Sequence, residues 1–266
     1  MHGRSGRSGR LAVRLLDLRG LGHTGPMPIF TVPVAVRAIL LDIDGTLVDH
    51  RGAADVASYQ WASILPGWSL GPGETAELWE TLDRRYFTRY QMGELAFGDQ
   101  LRARIRDFVP DGATLSDAQA DAHMRAYREV YRSLWRAYDD VPGFLTRLRR
   151  AGADRPGGPL TVAYLSNGDQ APQREKLAAV GALEADWPLL ASVQLGASKP
   201  SAGIFEEACR RLSVAPSHAL MIGDDPWADV DGALGAGLCV VYLRRDGGSP
   251  ERDVPTVDGL DAILIE

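Results

Sequence analysis

The sequence predicts an α/β fold, a doubly wound parallel sheet into which an α-helical domain is inserted. Three observations carry this expectation. From Val141 onward, short apolar runs alternate with helix-length segments, the pattern of strand and helix units that builds a parallel sheet covered on both faces. An isolated apolar run lies earlier, inside residues 37–49, and ends abruptly in polar residues. Between the two, residues 53–139 read as helix and turn. The expected organisation is an extension without fixed structure over 1–33, a core built from 34–52 and 140–266, and a helical cap over 53–139.

Residues 1–33 open with a Gly/Ser/Arg repeat that has no apolar periodicity, too polar to offset the entropy of ordering. The apolar part, Leu11 to Leu18, is broken by Arg14 and Asp17 and makes a poor secretory segment. Met27 is an alternative start, and a basic interaction arm is the functional alternative. The apolar run inside residues 37–49 has the length of a buried strand, which Gly45 can end. In the helical block, Ala54 to Leu65 and Glu74 to Tyr90 are helices separated by Pro66-Gly67 and Gly71-Pro72-Gly73, and Asp99 to Phe108 follows the turn at Gly93. Over Ser116 to Tyr138, Met124, Tyr127, Tyr131, Leu134 and Tyr138 recur at spacings of three and four, one apolar stripe read as bundle packing.

The alternating region then gives a helix over Pro142 to Arg150 and a strand over Leu160 to Leu165 that ends at Ser166-Asn167-Gly168. A helix over Pro172 to Val180, which Gly181 can stop, and an apolar segment near Leu189 to Val193 come next. Lys199-Pro200 precedes a helix from Ala202 to Leu212. A strand over Ala219 to Ile222 ends at Gly223-Asp224-Asp225, Val230 to Ala236 is helical, and Leu238 to Leu243 is a further strand.

At 266 residues and 45% hydrophobic content the chain can bury a full core. A net charge of −6 argues against a nucleic-acid or anionic-membrane partner, yet leaves room for a local site for a small anion. No apolar run reaches the roughly 18 residues of a membrane span. Cys209 and Cys239 lack metal or disulfide-framework spacing and read as buried free thiols of a cytoplasmic protein. Of 29 basic residues only Lys176 and Lys199 are lysines. A chain this rich in arginine keeps lysine where a compact ammonium is needed, so both are candidates, although Lys176, on a helix, reads as a surface residue.

Chemistry concentrates where strands end, the position at which open α/β sheets bind ligands. The string Asp42-Ile43-Asp44-Gly45-Thr46-Leu47-Val48-Asp49 places two acids at the first such end. An Asp-x-Asp pair alone is often a solvated strand end, but carboxylates beside a flexible glycine can also bind a hard cation. Ser166, Lys199 and the Gly223-Asp224-Asp225-Pro226-Trp227-Ala228-Asp229 segment complete four motifs in order around the helical block. Each alone has a plain structural reading as turn former, surface charge or helix cap. Together they resemble the haloacid dehalogenase-like (HAD) hydrolases, phosphatase branch, over residues 37 to about 245.

The resemblance implies a Rossmann-like core with a helical cap, and a magnesium-dependent phosphatase acting on a small phosphorylated metabolite. It implies Asp42 as nucleophile, forming an aspartyl-phosphate, and Asp44 as acid and base towards the leaving oxygen and the hydrolytic water. Thr46 and Ser166 would donate to phosphate oxygens, and Lys199 would supply fixed positive charge. Asn167 and Gly168 are candidates for phosphate contact through backbone N–H groups, a plain turn being the alternative. Mg²⁺ would be held by Asp42, Asp224 and the backbone carbonyl of Asp44. Asp229 would lie behind it, on Lys199 or water, and Asp225 is a ligand, a holder of metal-bound water or a helix cap. Two carboxylates about 4 Å apart repel by roughly 4 kcal/mol at an effective dielectric near 20, so three acids here call for a cation.

A phosphomutase would use the same motifs, and a 2-haloacid dehalogenase the same scaffold, but dehalogenation has no leaving oxygen to protonate and those enzymes lack an acid at the position of Asp44. Specificity is expected from cap residues, with Trp61, Trp68, Trp79, Tyr86, Tyr90, Arg84, Arg85 and Arg89 as candidates, and cap movement from joints near Gly52 and Val141-Pro142-Gly143. The expected assembly is a monomer or homodimer.

Overall fold

The computed structural model describes residues 29–155, 158–245 and 253–265. Its centre is a six-stranded, all-parallel sheet in the order β4-β3-β2-β5-β6-β7. The strands are β2 (Ala38–Leu41), β3 (Thr161–Ser166), β4 (Leu189–Ala191), β5 (Ala219–Gly223), β6 (Cys239–Leu243) and β7 (Thr256–Val257). β2 is buried at every residue, as parallel strands covered on both faces are. Its side chains divide by the two-residue period of a strand. Ile39 and Leu41 face one core with Val141 to Leu148 and Leu177, while Ala38 and Leu40 face a second with Ile204, Phe205 and Ala208. The helices α5 (Val141–Asp154) and α6 (Gln170–Ala179) thus cover one face, and α8 (Ala202–Arg211) with α9 (Gly232–Gly235) the other, with the single turn α7 (Ser192–Leu195) at the end of β4.

Between β2 and α5 lie four helices, α1 (His50–Ala62), α2 (Pro72–Gln91), α3 (Phe97–Phe108) and α4 (Asp117–Ser133). They enclose a core of their own around Trp61, Trp79, Ile105, Phe108 and Tyr127. Local sequence sets their ends. The Asp49 side chain accepts from Gly52 N at the start of α1, Pro72 occupies the first turn of α2, and Ser116 with Gln119 forms a capping box on α4.

The helix expected to run to Tyr138 stops at Ser133, because the chain must return to the sheet. Val48 and Ala137 form an antiparallel bridge, with Asp49 N donating to Arg136 O (3.0 Å) and Tyr138 N to Leu47 O (3.3 Å). The crossing between the helical layer and the core is therefore this short two-stranded link. Gly52 and Pro142-Gly143, expected as joints, lie instead within the first turns of α1 and α5.

The N-terminal expectation also needs correction. Residues 29–33 are part of the fold: Phe30 and Val32 are buried, and β1 (Phe30–Thr31) pairs in parallel with β8 (Ile263–Leu264). Pairing with a segment at the far end of the chain leaves no local pattern to read. Residues 1–28, with Met27 and the basic arm, lie outside the described residues.

Candidate active site

β2 lies between β3 and β5, where the strand order reverses, and its carboxyl end opens into the crevice that such a switch point creates. Asp42 N donates to Ile222 O of β5 at 3.0 Å, which fixes Asp42 at the strand end. Gly45 then turns the chain with φ +89°; a Cβ there would lie 2.1 Å from Asp224 Oδ2. Gly223 has the same function at the end of β5, since a Cβ would meet Asp229 Oδ2 at 2.2 Å. The two glycines let four acids converge.

Asp42, Asp44, Ser166, Asn167, Lys199, Asp224, Asp225 and Asp229 line a single cavity of about 370 Å³ between the sheet and the helical layer. Lys199 Nζ donates to Asp42 Oδ1 and Asp229 Oδ1, both at 2.6 Å. Oxygens of Asp42, Asp224 and Asp229 lie within 4.8 Å of one another. Burial pushes Asp42 up from the ordinary carboxylate range, opposed by Lys199, and pushes Asp224 well up, with Asp42 and Asp229 adding to it. Asp229 is raised to about 7, again by burial first. Burial alone would lower Lys199, but Asp229 and Asp42 hold it above the usual lysine range. Asp42 Oδ2 is buried with no hydrogen-bond partner among the described residues, an orphan that a cation or an electrophile would satisfy.

The Thr46 hydroxyl and the Gly168 N–H take places other than those expected, whereas Asp225 and Asp229 take places that were among the expected ones. The Thr46 hydroxyl is fully buried and donates to Asp224 Oδ1 (3.0 Å), so it orients that acid instead of pointing at a phosphate. Gly168 N donates to Ser192 Oγ (2.8 Å) and is not free to contact a ligand. The Asn167 amide clasps the Lys199 backbone, with Nδ2 donating to its carbonyl and Oδ1 accepting from its N–H, both at 2.8 Å. Asp225 is exposed and caps the π-turned segment Pro226–Asp231, its Oδ1 accepting from Trp227 N and Ala228 N. Asp229 has both oxygens engaged, by Lys199 Nζ and by Asp225 N (3.1 Å).

The largest departure is Lys176. Far from lying on the surface, it is buried and donates to Asp44 Oδ1 at 2.5 Å, while its ammonium lies 5.5 Å from the Tyr131 ring centroid and 5.7 Å from that of Trp135. Gln173 Nε2 bridges Asp44 Oδ2 (2.7 Å) and Ser166 Oγ (2.9 Å). Burial would raise Asp44, but Lys176, helped by His50, holds it well below the usual carboxylate range. His50 Nδ1 shares a 2.5 Å hydrogen bond with Tyr131 OH. Lysine scarcity singled out Lys176 as strongly as Lys199; helical position alone hid it.

The cap wall also differs from expectation. Of the aromatic and arginine candidates only Trp79 lines the cavity; Arg104, Arg128, Phe87, Tyr127, Tyr131 and Trp135 take the others' place. Tyr127 and Tyr131, read as bundle packing, both pack the helical core and face the cavity.

The profile of the haloacid dehalogenase-like hydrolase family matches residues 36–237. The chain belongs to the haloacid dehalogenase-like hydrolases. This hydrolase is 30% identical over 227 residues to a phosphoserine phosphatase of Thermus thermophilus, covering 83% of this chain and 85% of that protein. It is also 30% identical over 214 residues to (S)-2-haloacid dehalogenase 1 of Pseudomonas sp. strain CBS-3, covering 79% of this chain and 85% of that one. In fold it is similar to the magnesium-bound HAD-hydrolase YfnB of Bacillus subtilis, with a TM-score of 0.71 and 19% identity over 85% of this chain and 96% of that chain. No described helix is long and apolar enough to cross a membrane. Phosphatases and dehalogenases both stand among the relatives, so the chemistry must be argued from the site.

Proposed function

We propose that this hydrolase is a magnesium-dependent phosphatase that cleaves a small phosphorylated metabolite through an aspartyl-phosphate on Asp42. The observation that carries the reading is the second acid: Asp44 is held in the cavity beside Asp42 by Lys176 and Gln173. Cleavage of a phosphate ester releases an alkoxide that needs a proton, whereas halide needs none, so a positioned acid has a task only in the first reaction.

Asp42, its Oδ2 without a hydrogen-bond partner among the described residues, attacks phosphorus, and the leaving oxygen departs in line towards Asp44. In the free enzyme Asp44 is ionised. An arriving phosphate is itself negative and raises the affinity of Asp44 for a proton, which Asp44 takes up from solvent or from the phosphate monoanion and passes to the leaving oxygen. Asp44 then takes a proton from the water that opens the acyl phosphate. The Ser166 hydroxyl, accepting from Gln173, is free to donate its own hydrogen to a phosphoryl oxygen, and Lys199 balances the growing charge.

The donor set suits a hard cation. Asp42 and Asp224 would hold magnesium together with the Asp44 carbonyl, and Asp229, both oxygens occupied, would stay outside its ligand shell. The ion would neutralise the crowded carboxylates and polarise the phosphoryl group.

Phosphate release from a panel of phosphorylated metabolites and p-nitrophenyl phosphate, with and without magnesium, tests the reading. Release should require the metal and fall by about 10³ or more in Asp42→Asn. Undiminished release in that variant would overturn the nucleophile assignment. Transfer of phosphate to a second position of a sugar phosphate, with none released, would show a phosphomutase instead.

A further inference from the structure

On the wall of the cavity opposite the acids, α3 and α4 present two guanidinium groups that no catalytic step employs. Arg104 is more than nine-tenths buried, lies against Trp79 with 4.6 Å from its guanidinium carbon to the ring centroid, and pairs through Nη1 with Asp83. Its Nε is buried and has no hydrogen-bond partner among the described residues. Arg128, half-buried, forms no ion pair and no hydrogen bond among the described residues, although Arg132 one turn on pairs with Glu175 at 3.0 Å. Buried donors are normally satisfied, and a guanidinium is costly to bury unless a planar anion uses its fork.

From this we propose that the preferred substrate is a phosphate monoester whose leaving alcohol carries a carboxylate, bound by Arg104 and Arg128. The inference rests on the phosphatase reading and names its substrate class. Charge selects carboxylate over a second phosphate. Three guanidiniums line the wall; Asp83 offsets Arg104 and Glu175 offsets Arg132, so Arg128 leaves about one net positive charge, which matches a monoanion and not a dianion. The flat aromatic walls from Trp79 and Tyr127 match a small planar group equally well. Donors facing the cavity on the cap side, with acids on the sheet side, also fix the direction of binding: phosphate at Asp42, carboxylate towards the helices.

Matched ligands separate this proposal from the reading beneath it. Binding of 3-phosphoglycerate, glycerol 3-phosphate and glycerol 1,3-bisphosphate to the Asp42→Asn protein in magnesium buffer, measured by calorimetry, does not depend on turnover. The carboxylate ligand should bind at least tenfold more tightly than the other two, and Arg128→Gln or Arg104→Lys should bring its ratio to glycerol 3-phosphate close to one. Equal affinities, tighter binding of the bisphosphate, or an unchanged ratio in both folded variants would overturn the proposal. If the binding preference holds but the wild-type enzyme turns over no phosphate ester, the phosphatase reading alone fails. Turnover of p-nitrophenyl phosphate with no binding preference sinks only the carboxylate assignment.

Discussion

Lys176 and Asp44 show how one side chain sets the working state of another. Without the ammonium, burial would dominate and carry Asp44 above its ordinary range; with it, the acid rests ionised. Lys176→Met should lower kcat/KM about tenfold to a hundredfold, since well-placed acid–base catalysis is worth roughly 10²–10⁴, and should move the pH–rate profile towards higher pH, because Asp44 then keeps its proton to a higher pH. A rate loss without that movement would leave Lys176 a packing residue. Gly223 makes a second case. A methyl group there lands on Asp229 Oδ2, and the displaced acid would drag Lys199 off Asp42. Gly223→Ala should cost about 1–3 kcal/mol by overpacking, read by denaturant titration, together with most of the hydrolase activity.

At the scale of elements, the polar contacts between the helical layer and the sheet side among the described residues include Tyr90 OH with Ser192 Oγ (2.8 Å), Gln91 Nε2 to Lys199 O (3.2 Å), Ser198 Oγ to Gln91 O (3.4 Å), Arg132 with Glu175, Lys176 against the Tyr131 and Trp135 rings, and the link at 47–49 and 136–138. Single neutral hydrogen bonds are worth only about 0.5–1.5 kcal/mol, so the layer can open without unfolding. Binding of a phosphate analogue should slow amide exchange at Asp49 and Tyr138, whose N–H groups close the link, while amides inside β2 stay unchanged; equal exchange with and without the analogue would exclude opening at this link. Within the layer, Ile105 is fully buried beside Arg104 in sequence, and Ile105→Ala should cost about 2–5 kcal/mol. The sheet and its flanking helices were legible because strand and helix periods are local. Other elements differed, some for local and some for non-local reasons. α4 is cut short by the return of the chain, the segment at 226–231 starts early under the Asp225 cap, and β1 and β8 need each other.

For the molecule as a whole, the acids at the strand ends were readable from order and spacing, whereas the cap wall was not. Which arginine of the helical layer faces the crevice depends on how four helices rotate against one another, and nothing in the spacing of Arg84, Arg85 and Arg89 distinguishes them from Arg104 and Arg128. The crowded acids also set a global dependence on pH. A carboxyl whose folded-state pKa is raised stabilises the fold at low pH and loses that contribution as pH rises through the folded value. For Asp229 that value is about 7, and Asp42 and Asp224 shift in the same direction. Metal-free protein should therefore gain about 1 kcal/mol between pH 8 and pH 6.5, or about 2–4 °C in Tm. Asp44, shifted downward, stays ionised in this window, and His50, also shifted downward, opposes the trend only below about 6.5. Magnesium should erase the difference; melting curves that keep the same slope with pH in its presence would show the acids do not share an ion. Finally, with Lys176 and Lys199 both enclosed, the folded protein offers no side-chain amine to solvent. Acylating reagents, imine-forming cross-linkers and lysine-specific proteases would find no lysine on the native surface, so labelling at Lys176 or Lys199 becomes a gauge of how often the crevice opens.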